Sequence, residues 1–266
     1  MIRSDLPYWH TMTTLEVEHF AETDPVVILP LAAIEQHGPH LPLSTDLEIG
    51  LGILASAFRR LPEGFPARVL PPQSVGASRE HARWPGTLTL SPESLGSLVV
   101  QHGEALARHG VRRLVLGNSH GGNRHVMESA GLTLRDELGM LVVKATYPRF
   151  SRPDSVDLPE AEWRQGLHGG AVETAMMLHL RPDLVQVEEV REFPSVAGEL
   201  EQEAKRLRPE GEAAFSWLAG DLNPSGVTGD ARLGDAAMGE RLVSHYGQVL
   251  AEVIQDAREF DLDRLA

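Results

Sequence analysis

The stretch Val26-Val-Ile-Leu-Pro-Leu-Ala-Ala-Ile-Glu-Gln-His-Gly-Pro-His-Leu-Pro-Leu-Ser-Thr-Asp46 combines a clear strand signal with a dense group of reactive side chains. Its first six residues are apolar and predict a buried strand at 26–31. Glycine and prolines then interrupt regular structure, and residues 44–46 are all suited to cap a helix that reaches about Arg60. A buried strand that passes through a rigid loop into a helix is typical of a parallel α/β sheet.

The rest of the chain continues this alternation. Strands are predicted near Val69, at 87–90, at 113–116 and at 141–144, and further helices at 91–109, 123–138, 172–180 and 238–260. Residues 147–170 and 221–236 are loop-rich. No linker divides the chain, so residues 1–266 are predicted to form a single domain whose sheet is covered on both faces. In such sheets the functional site lies beyond the carboxyl ends of the strands.

Composition excludes several classes of function. The 266 residues include no cysteine, which removes disulfides, thiolate metal sites and cysteine nucleophiles. The net charge of −14 would repel a nucleic acid backbone, so no nucleic acid partner is expected. The apolar run from Val26 to Ile34 is shorter than the ~20 residues that a membrane helix needs, and no membrane partner is expected. Because the start resembles no signal peptide, the expected location is cytoplasmic.

Candidate metal ligands follow the first strand. Glu35 and His37 are two residues apart, so in extended chain their side chains point to the same side. Asp46 comes at the start of the next helix, where its carboxylate can turn back towards the strand end and bridge two ions. His40 competes as a ligand, although a structural role is favoured. An isolated Glu-x-His is usually an ordinary loop pair, but three donors within 12 residues of a rigid segment favour a metal site.

A second group follows the strand at 113–116. His120 lies beyond the strand end, Gly121 and Gly122 allow close backbone approach, and Asn123 could order ligands or substrate. The same segment also fits Gly-x-Ser-x-Gly, which leaves open a serine hydrolase with Ser119 as nucleophile. Asp221 or Asp230 with His245 would complete that alternative, but His245 lies in a predicted helix rather than in a loop, and the alternative gives no role to the earlier ligands.

A third group lies at the start of the helix predicted at 172–180. His168 precedes the helix, and Glu173 lies in its first turn among alanine, methionine and leucine. A carboxylate there is costly unless it is paired or bound to metal. Either a buried ion pair or a metal contact would explain Glu173, and either a satisfied loop histidine or a functional one would explain His168.

Six motifs, in this order, resemble those of the creatininase (creatinine amidohydrolase) family. They are Glu35-Gln-His-Gly-Pro-His-Leu-Pro-Leu-Ser-Thr-Asp46, Gly76-Ala-Ser-Arg-Glu-His81, Trp84-Pro-Gly-Thr87, Asn118-Ser-His-Gly-Gly-Asn123, His168-Gly-Gly-Ala-Val-Glu-Thr174 and Gly226-Val-Thr-Gly-Asp230. The resemblance implies a three-layer α/β/α sandwich with a mostly parallel central sheet. It also implies a homo-oligomer, which in this family is often a hexamer. It also implies two divalent metal ions, Zn²⁺ first among them, with Mn²⁺ or Fe²⁺ as alternatives.

The resemblance also assigns roles to individual residues. It implies that Glu35 and His120 hold one ion, that His37 holds the other, and that Asp46 bridges them. His168 matches a histidine placed for proton transfer, and Ser78 falls where the family contacts substrate, as we expect also of Gly121, Gly122 and Asn123. Creatinine-cleaving members carry an aromatic residue and then a glutamate directly after the histidine that matches His120. Here both positions are glycine, and Glu173 is the candidate replacement for the missing carboxylate.

These features together predict a metal-dependent amidohydrolase that uses a metal-activated hydroxide to hydrolyse a C–N bond. The expected substrate is a small molecule containing an amide, cyclic amide or formamide, although the missing aromatic residue argues against creatinine itself. An alternative within the family is a peptidase that trims a cofactor-precursor peptide. Alternatives of other classes are the serine hydrolase described above and a non-catalytic metal-binding protein.

Overall fold

The computed structural model describes residues 5–265 and contains a parallel central sheet. Within these residues the sheet has four strands in the order β2-β1-β3-β4, and every neighbouring pair is parallel. The strands are β1 (Val26–Leu31), β2 (Ala67–Val69), β3 (Arg113–Asn118) and β4 (Leu141–Thr146). Two-residue strands at β5 (Glu192–Phe193), β6 (Leu207–Arg208), β7 (Ala213–Ala214) and β8 (Gly229–Asp230) pair outside this sheet as β5-β8 and β6-β7.

Helices cover both faces of the sheet. They are α1 (Thr14–Ala21), α2 (Thr45–Phe58), α3 (Pro92–Arg108), α4 (Arg124–Leu138), α5 (Glu160–Gln165), α6 (Ala171–Leu180), α7 (Val196–Glu203), α8 (Ala219–Leu222) and α9 (Ala236–Glu259). Helices α2, α6 and α9 pack together over one face, while α3 and α4 pack together over the other. The predicted three-layer α/β/α sandwich is therefore confirmed.

The side chains of β1 explain why the sheet is covered on both sides. Val26 and Ile28 join the apolar cluster beneath α2, α6 and α9, whereas Val27, Leu29 and Leu31 join the cluster beneath α3 and α4. All six residues of the strand are buried, as expected for a central parallel strand. The register of β1 against β2 and β3 sets the position at which the loop carrying Glu35 leaves the sheet.

Most predicted elements are confirmed, with small shifts at their ends. Ser91 caps α3 as expected by accepting a hydrogen bond from the Ser94 amide, and Gly139 ends α4 in a left-handed conformation with φ of 64°. The strand predicted at 87–90 is wrong, because only Leu88 forms a bridge there, to Ile34. The segment at 147–170, predicted as loop-rich, contains the short helix α5. No helix in the described part of the chain is both long and apolar enough to cross a membrane.

Candidate metal centre

The candidate ligands converge where β1 and β3, which are neighbours in the sheet, end. Glu35 and His37 follow β1, and His120 follows β3. Asp46 is the second residue of α2, and Glu173 lies in the first turn of α6. Glu35, His37, Asp46 and His120 are all buried, and the side chain of Glu173 is 15% exposed. The structure thus brings together all five residues predicted as ligands.

One trio of donors consists of Glu35, Asp46 and His120. The Nδ1 atom of His120 lies 3.2 Å from Oε1 of Glu35 and 3.3 Å from Oδ2 of Asp46. One ligand atom from each of the three residues falls within 4.8 Å of the others. Nitrogen and carboxylate oxygen at this spacing can surround a single first-row divalent ion.

A second trio consists of His37, Asp46 and Glu173. The Nε2 atom of His37 lies 3.4 Å from Oδ1 of Asp46 and 3.8 Å from Oε2 of Glu173. These donors also meet within 4.8 Å. Asp46 belongs to both trios and presents a different oxygen to each histidine, as a carboxylate that bridges two ions would.

Hydrogen bonds at the far side of each imidazole fix which nitrogen faces the centre. His37 Nδ1 lies 3.1 Å from the backbone carbonyl of Glu35, so it carries the proton and leaves Nε2 as an acceptor. His120 Nε2 lies 3.1 Å from the carbonyl of Ala77, which leaves its Nδ1 as the acceptor. The lone pair of His120 therefore faces the carboxylates of Glu35 and Asp46, an arrangement that is stable only with a proton or a cation between them.

Buried polar atoms without hydrogen bonds mark the same place. Among the described residues, Glu35 Oε2, His37 Nε2 and Asp46 Oδ2 are buried without a hydrogen-bond partner. An unsatisfied buried polar atom is costly, and native proteins rarely retain one without a compensating partner. Two divalent ions would compensate these three atoms. Two such ions carry +4 against −3 from Glu35, Asp46 and Glu173, so the donor set fits the implied metals in charge as well as in geometry.

The electrostatics of the centre favour positive charge between the carboxylates. Burial would lower the pKa of His37, but the charges of Asp46, Glu173 and Glu35 raise it to about 9. Burial likewise opposes protonation of His120, yet Glu35 and Asp46 raise its pKa well above the usual value. Burial disfavours an ionised Glu35, but His120 and its neighbouring histidines lower the pKa of this carboxyl well below the usual range. The Glu35 carboxyl therefore remains charged and attracts a cation.

His168 lies on the rim of the same centre. Its Nε2 atom is 2.7 Å from the backbone carbonyl of Gln36 and so carries the proton. Its Nδ1 atom therefore faces inward, 3.8 Å from Oε1 of Glu35, and its ring packs on His37 with centroids 4.1 Å apart. Burial, together with His37, lowers the pKa of His168. His168 is thus a neutral base aimed at the centre, and with Glu35 and His37 it forms a further trio close enough to hold an ion.

The turn at 78–81 adds two residues that the sequence reasoning did not identify as functional. His81 is buried, and its Nε2 atom lies 3.6 Å from Oε1 of Glu35. Glu80 is half-buried, and its Oε1 atom lies 3.5 Å from His120 Nε2. Burial raises the pKa of Glu80. Ser78, expected to contact substrate, is fully buried with its hydroxyl 3.3 Å from His120 Nε2. The signal was the motif at 76–81, in which both residues stand.

The two glycines after His120 differ sharply in their surroundings. A Cβ atom at Gly122 would lie 2.3 Å from the Ala77 carbonyl oxygen, 2.5 Å from His120 Nε2 and 2.6 Å from Glu80 Oε1. A Cβ atom at Gly121 would meet no described atom within 4 Å. The close backbone approach expected here is therefore confirmed at Gly122 but not at Gly121. A side chain at position 122 does not fit in this structure, and the carboxylate that completes the second trio belongs to Glu173.

Two other sequence interpretations find less support. The amide group of Asn123, expected to bind substrate, accepts a hydrogen bond from the Ala77 amide at 2.9 Å and donates to the Ala32 carbonyl at 3.1 Å. It also donates to Asn118, so its role is to hold the loops together. For the serine alternative, the Ser119 hydroxyl donates to the Leu31 carbonyl, whereas His245 contacts Ser151. The required nucleophile and base are therefore each engaged elsewhere.

A buried carboxylate outside the centre positions the segment that carries His168 and Glu173. The helix α6 begins after Gly170, which has no side chain to cap it. Glu162, from α5, supplies the missing acceptor: Oε1 accepts a hydrogen bond from the Ala171 amide at 2.8 Å, and Oε2 accepts one from the Asp230 amide at 2.7 Å. Glu162 thereby fixes the start of α6 against the loop at 226–230.

Comparison with known proteins gives matches over most of the chain. A family model described as "Creatininase: Creatinine amidohydrolase" matches residues 10–254. The mycofactocin precursor peptide peptidase of Mycolicibacterium smegmatis is 33% identical over 236 residues, which are 87% of this chain and 85% of that protein. The creatinine amidohydrolase of Pseudomonas putida is 33% identical over 189 residues, which are 65% of this chain and 71% of that protein.

Solved structures give the same result for the fold. A crystal structure of creatinine amidohydrolase (creatininase) matches with a TM-score of 0.78 and 26% identity, covering 97% of this chain and 100% of that chain. A manganese form of creatininase matches with a TM-score of 0.76 at 26% identity, covering 95% of this chain and 99% of that one. A Zn–Zn form of a creatininase variant matches with a TM-score of 0.73 at 26% identity, with coverage of 95% and 98%.

The family model covers well over half of the chain, and the donor groups lie at the motifs that suggested the resemblance. The expected fold, a parallel sheet flanked by helices, is also that of the matching creatininase structures. The chain belongs to the creatininase family.

Proposed function

We propose that this protein is a dinuclear metal hydrolase that cleaves an amide C–N bond. The observation that carries the proposal is the pair of donor trios that share Asp46. In the proposed centre, Glu35 and His120 hold one ion, while His37 and Glu173 hold the other. The hydrogen bonds that turn a lone pair of each histidine towards the centre support this assignment.

Two divalent ions in these trios would supply Lewis-acid activation of a water molecule and of the substrate carbonyl. His168 supplies the proton relay. Because its Nε2–H is committed to the Gln36 carbonyl, Nδ1 is the basic atom facing the centre. From there His168 can accept a proton from the attacking water and transfer it to the departing nitrogen. In this proposal the amides of Gly121 and Gly122 donate to the oxygen on which negative charge develops.

The substrate that we favour is a peptide amide, the alternative within the family raised by the sequence. The support is the 33% identity over 87% of this chain with a mycofactocin precursor peptide peptidase. A second support is the glycine pair at 121–122, which leaves no aromatic wall and no room for a side chain at Gly122. A small cyclic amide is the second candidate, since the match to a creatinine amidohydrolase has the same identity over a shorter length.

Several finer expectations accompany this proposal. Zn²⁺ is the favoured metal, with Mn²⁺ or Fe²⁺ as alternatives, because nitrogen and carboxylate donors suit several first-row ions. Zinc and manganese both occur among the matching creatininase structures. The homo-oligomeric state, a hexamer by resemblance, and the cytoplasmic location remain predictions. Light scattering of the purified protein would test the first of them.

The decisive experiment measures metal content and hydrolysis on the same preparations. Protein purified without added metal, then stripped and reloaded with Zn²⁺, Mn²⁺ or Fe²⁺, would be assayed on a peptide library and on creatinine. Asp46→Asn tests the shared ligand, and the exposed Asp154→Asn serves as the matched control. We expect about two ions per chain and metal-dependent peptide cleavage, both lost only in Asp46→Asn. Full activity in metal-free protein would refute the proposal, and cleavage of creatinine alone would favour the second candidate.

A further inference from the structure

The side chain of Gln36 lies at the junction of three loops and is buried. Its Oε1 accepts a hydrogen bond from the Gly38 amide at 2.9 Å, and its Nε2 donates to the Gly226 carbonyl at 2.6 Å. A backbone N–H can only donate and a carbonyl can only accept, so these two bonds fix the orientation of the amide group. The second N–H of Nε2 points at Nδ1 of His81, 2.8 Å away.

This geometry determines the tautomer of His81. Because Gln36 Nε2 is a donor, His81 Nδ1 must be the acceptor and carry a lone pair. A neutral His81 therefore has its proton on Nε2, the atom that faces Oε1 of Glu35 at 3.6 Å. This arrangement is the reverse of that in His37, His120 and His168, whose backbone hydrogen bonds leave a lone pair facing the centre.

We propose that His81, held in this tautomer by Gln36, is a positioning residue that donates a hydrogen bond to the Glu35 carboxylate. In their neutral forms, as metal ligands or as a base, the other three imidazoles around Glu35 face the centre with a lone pair, whereas His81 offers an N–H. A donor to Oε1 fixes the rotation of the carboxylate relative to His120 Nδ1, which lies 3.2 Å from the same oxygen. His81 acts on the metal through Glu35 and is not itself a ligand.

Two further contacts support the role. The ring of His81 packs on that of His168, with centroids 4.2 Å apart, so its plane is held from the side as well as from Nδ1. Position 226 must be glycine for this arrangement, because a Cβ there would lie 2.8 Å from both Gln36 amide atoms. The 3.6 Å separation exceeds a hydrogen-bond length of about 3 Å, and a shift of roughly half an ångström as the site fills would close it.

The positioning role of His81 rests on the proposed metal centre, but the tautomer of His81 does not. Two measurements therefore test the tautomer and the role separately. The first measurement is ¹⁵N NMR of metal-free protein with labelled histidine at neutral pH. We expect a pyridine-type Nδ1 and a pyrrole-type Nε2 for His81, and the opposite pattern in Gln36→Glu, whose ionised side chain can only accept. Gln73→Glu is the matched control, because Gln73 is half-buried in a neighbouring loop and donates to the Val75 carbonyl.

The second measurement is zinc titration of the same variants. His81→Leu is expected to weaken zinc binding roughly 10–100-fold, as loss of a residue that orients a ligand does. His81→Gln, which keeps an N–H near the Nε2 position, should recover most of this loss. Gln36→Glu should weaken binding similarly in the wild-type background. Its effect should be less than additive with that of His81→Leu, since Gln36 acts on the centre through His81 and the lost bond to the Gly226 carbonyl is a separate contribution.

Three results would overturn the inference. They are a protonated Nδ1 on His81 in the wild-type protein, additive effects in the Gln36→Glu, His81→Leu double variant, and a His81→Gln variant no better than His81→Leu. If wild-type protein binds none of Zn²⁺, Mn²⁺ and Fe²⁺ stoichiometrically, the proposed function fails and the positioning role of His81 fails with it. In that case the NMR pattern tests only the tautomer of His81.

Discussion

Adding one methyl group at Gly122 is expected to damage the metal centre, whereas the same addition at Gly121 is expected to be harmless. The new Cβ at 122 would lie 2.3 Å from the Ala77 carbonyl oxygen, 0.7 Å closer than the 3.0 Å below which something must shift. That oxygen is a backbone atom, so no change of rotamer relieves the clash. It also accepts the hydrogen bond that orients His120.

The cost can be estimated from these contacts. Overpacking of this kind costs about 1–3 kcal/mol, and weakening the bond from His120 to Ala77 adds about 1 kcal/mol. The expected loss is therefore about 2–4 kcal/mol of unfolding free energy, which lowers the melting temperature by several degrees. Zinc affinity should fall roughly 10–100-fold, since His120 loses its orienting bond. Gly121→Ala, in open space, should leave both quantities nearly unchanged.

Thermal unfolding in the presence of a chelator measures the first effect free of metal, and zinc titration measures the second. Both variants replace glycine by alanine in the same turn, so the change in backbone entropy is common to them and largely cancels. If Gly122→Ala has the same melting temperature as Gly121→Ala and binds zinc as tightly, the crowding argument is refuted. The statement that no side chain fits at position 122 would then lose its main support.

Three other outcomes are expected. Asp46→Asn should remove both ions, but Glu173→Gln about one of the two, by elemental analysis; equal losses in both variants would contradict the sharing of Asp46. Burial lowers the pKa of His40 from 6.5 to about 4 in the folded protein. As the pH falls, His40 is therefore protonated at a higher pH in the unfolded chain than in the folded one. The stability that its neutral form contributes, up to about 3 kcal/mol, is complete above pH 6.5 and is lost as the pH falls towards 4. When unfolding by urea is measured against pH, His40→Gln should lose less stability than wild type between pH 6.5 and 4. The same pH profile in both proteins would contradict the lowered pKa of His40. Glu162→Gln places an NH₂ group beside one of the two backbone amides that donate to Glu162, so the free energy of unfolding should fall by about 1–3 kcal/mol and metal binding at Glu173 should weaken. Full retention of both would exclude the role in fixing α6.

The central sheet could be predicted because each of its main strands is a short apolar run with a helix signal after it. The two-sided burial of β1 is what its uninterrupted apolar sequence indicates. The helices α1 and α5 are absent from the predicted elements because both are short. The start of α1 is held by a capping box between Thr13 and Glu16, and α5 is mostly polar. The error at 87–90 has a related cause: an apolar residue there pairs once, at Leu88, and the loop then turns away.

The metal donors could be predicted because chemistry and chain order agree: acidic and histidine side chains follow strands that end at one edge. The roles of Glu80, His81 and Glu162 depend on how loops fold back on the centre, which a single sequence does not reveal. For Asn123, in contrast, residue type alone suggests a role that its hydrogen bonds do not support. Its residue type suited substrate binding, but the structure commits its amide to Ala77, Ala32 and Asn118.

The spacing of the ligands along the chain has a consequence for how the protein is made. Synthesis through His120 completes the first donor trio, together with the strands β1 and β3 that support it. The second trio requires Glu173, which emerges 127 residues after Asp46. In the proposed centre, a nascent or truncated chain that ends before α6 therefore has one complete ion site and not two. In this proposal the second ion is bound only by chains that extend through Glu173.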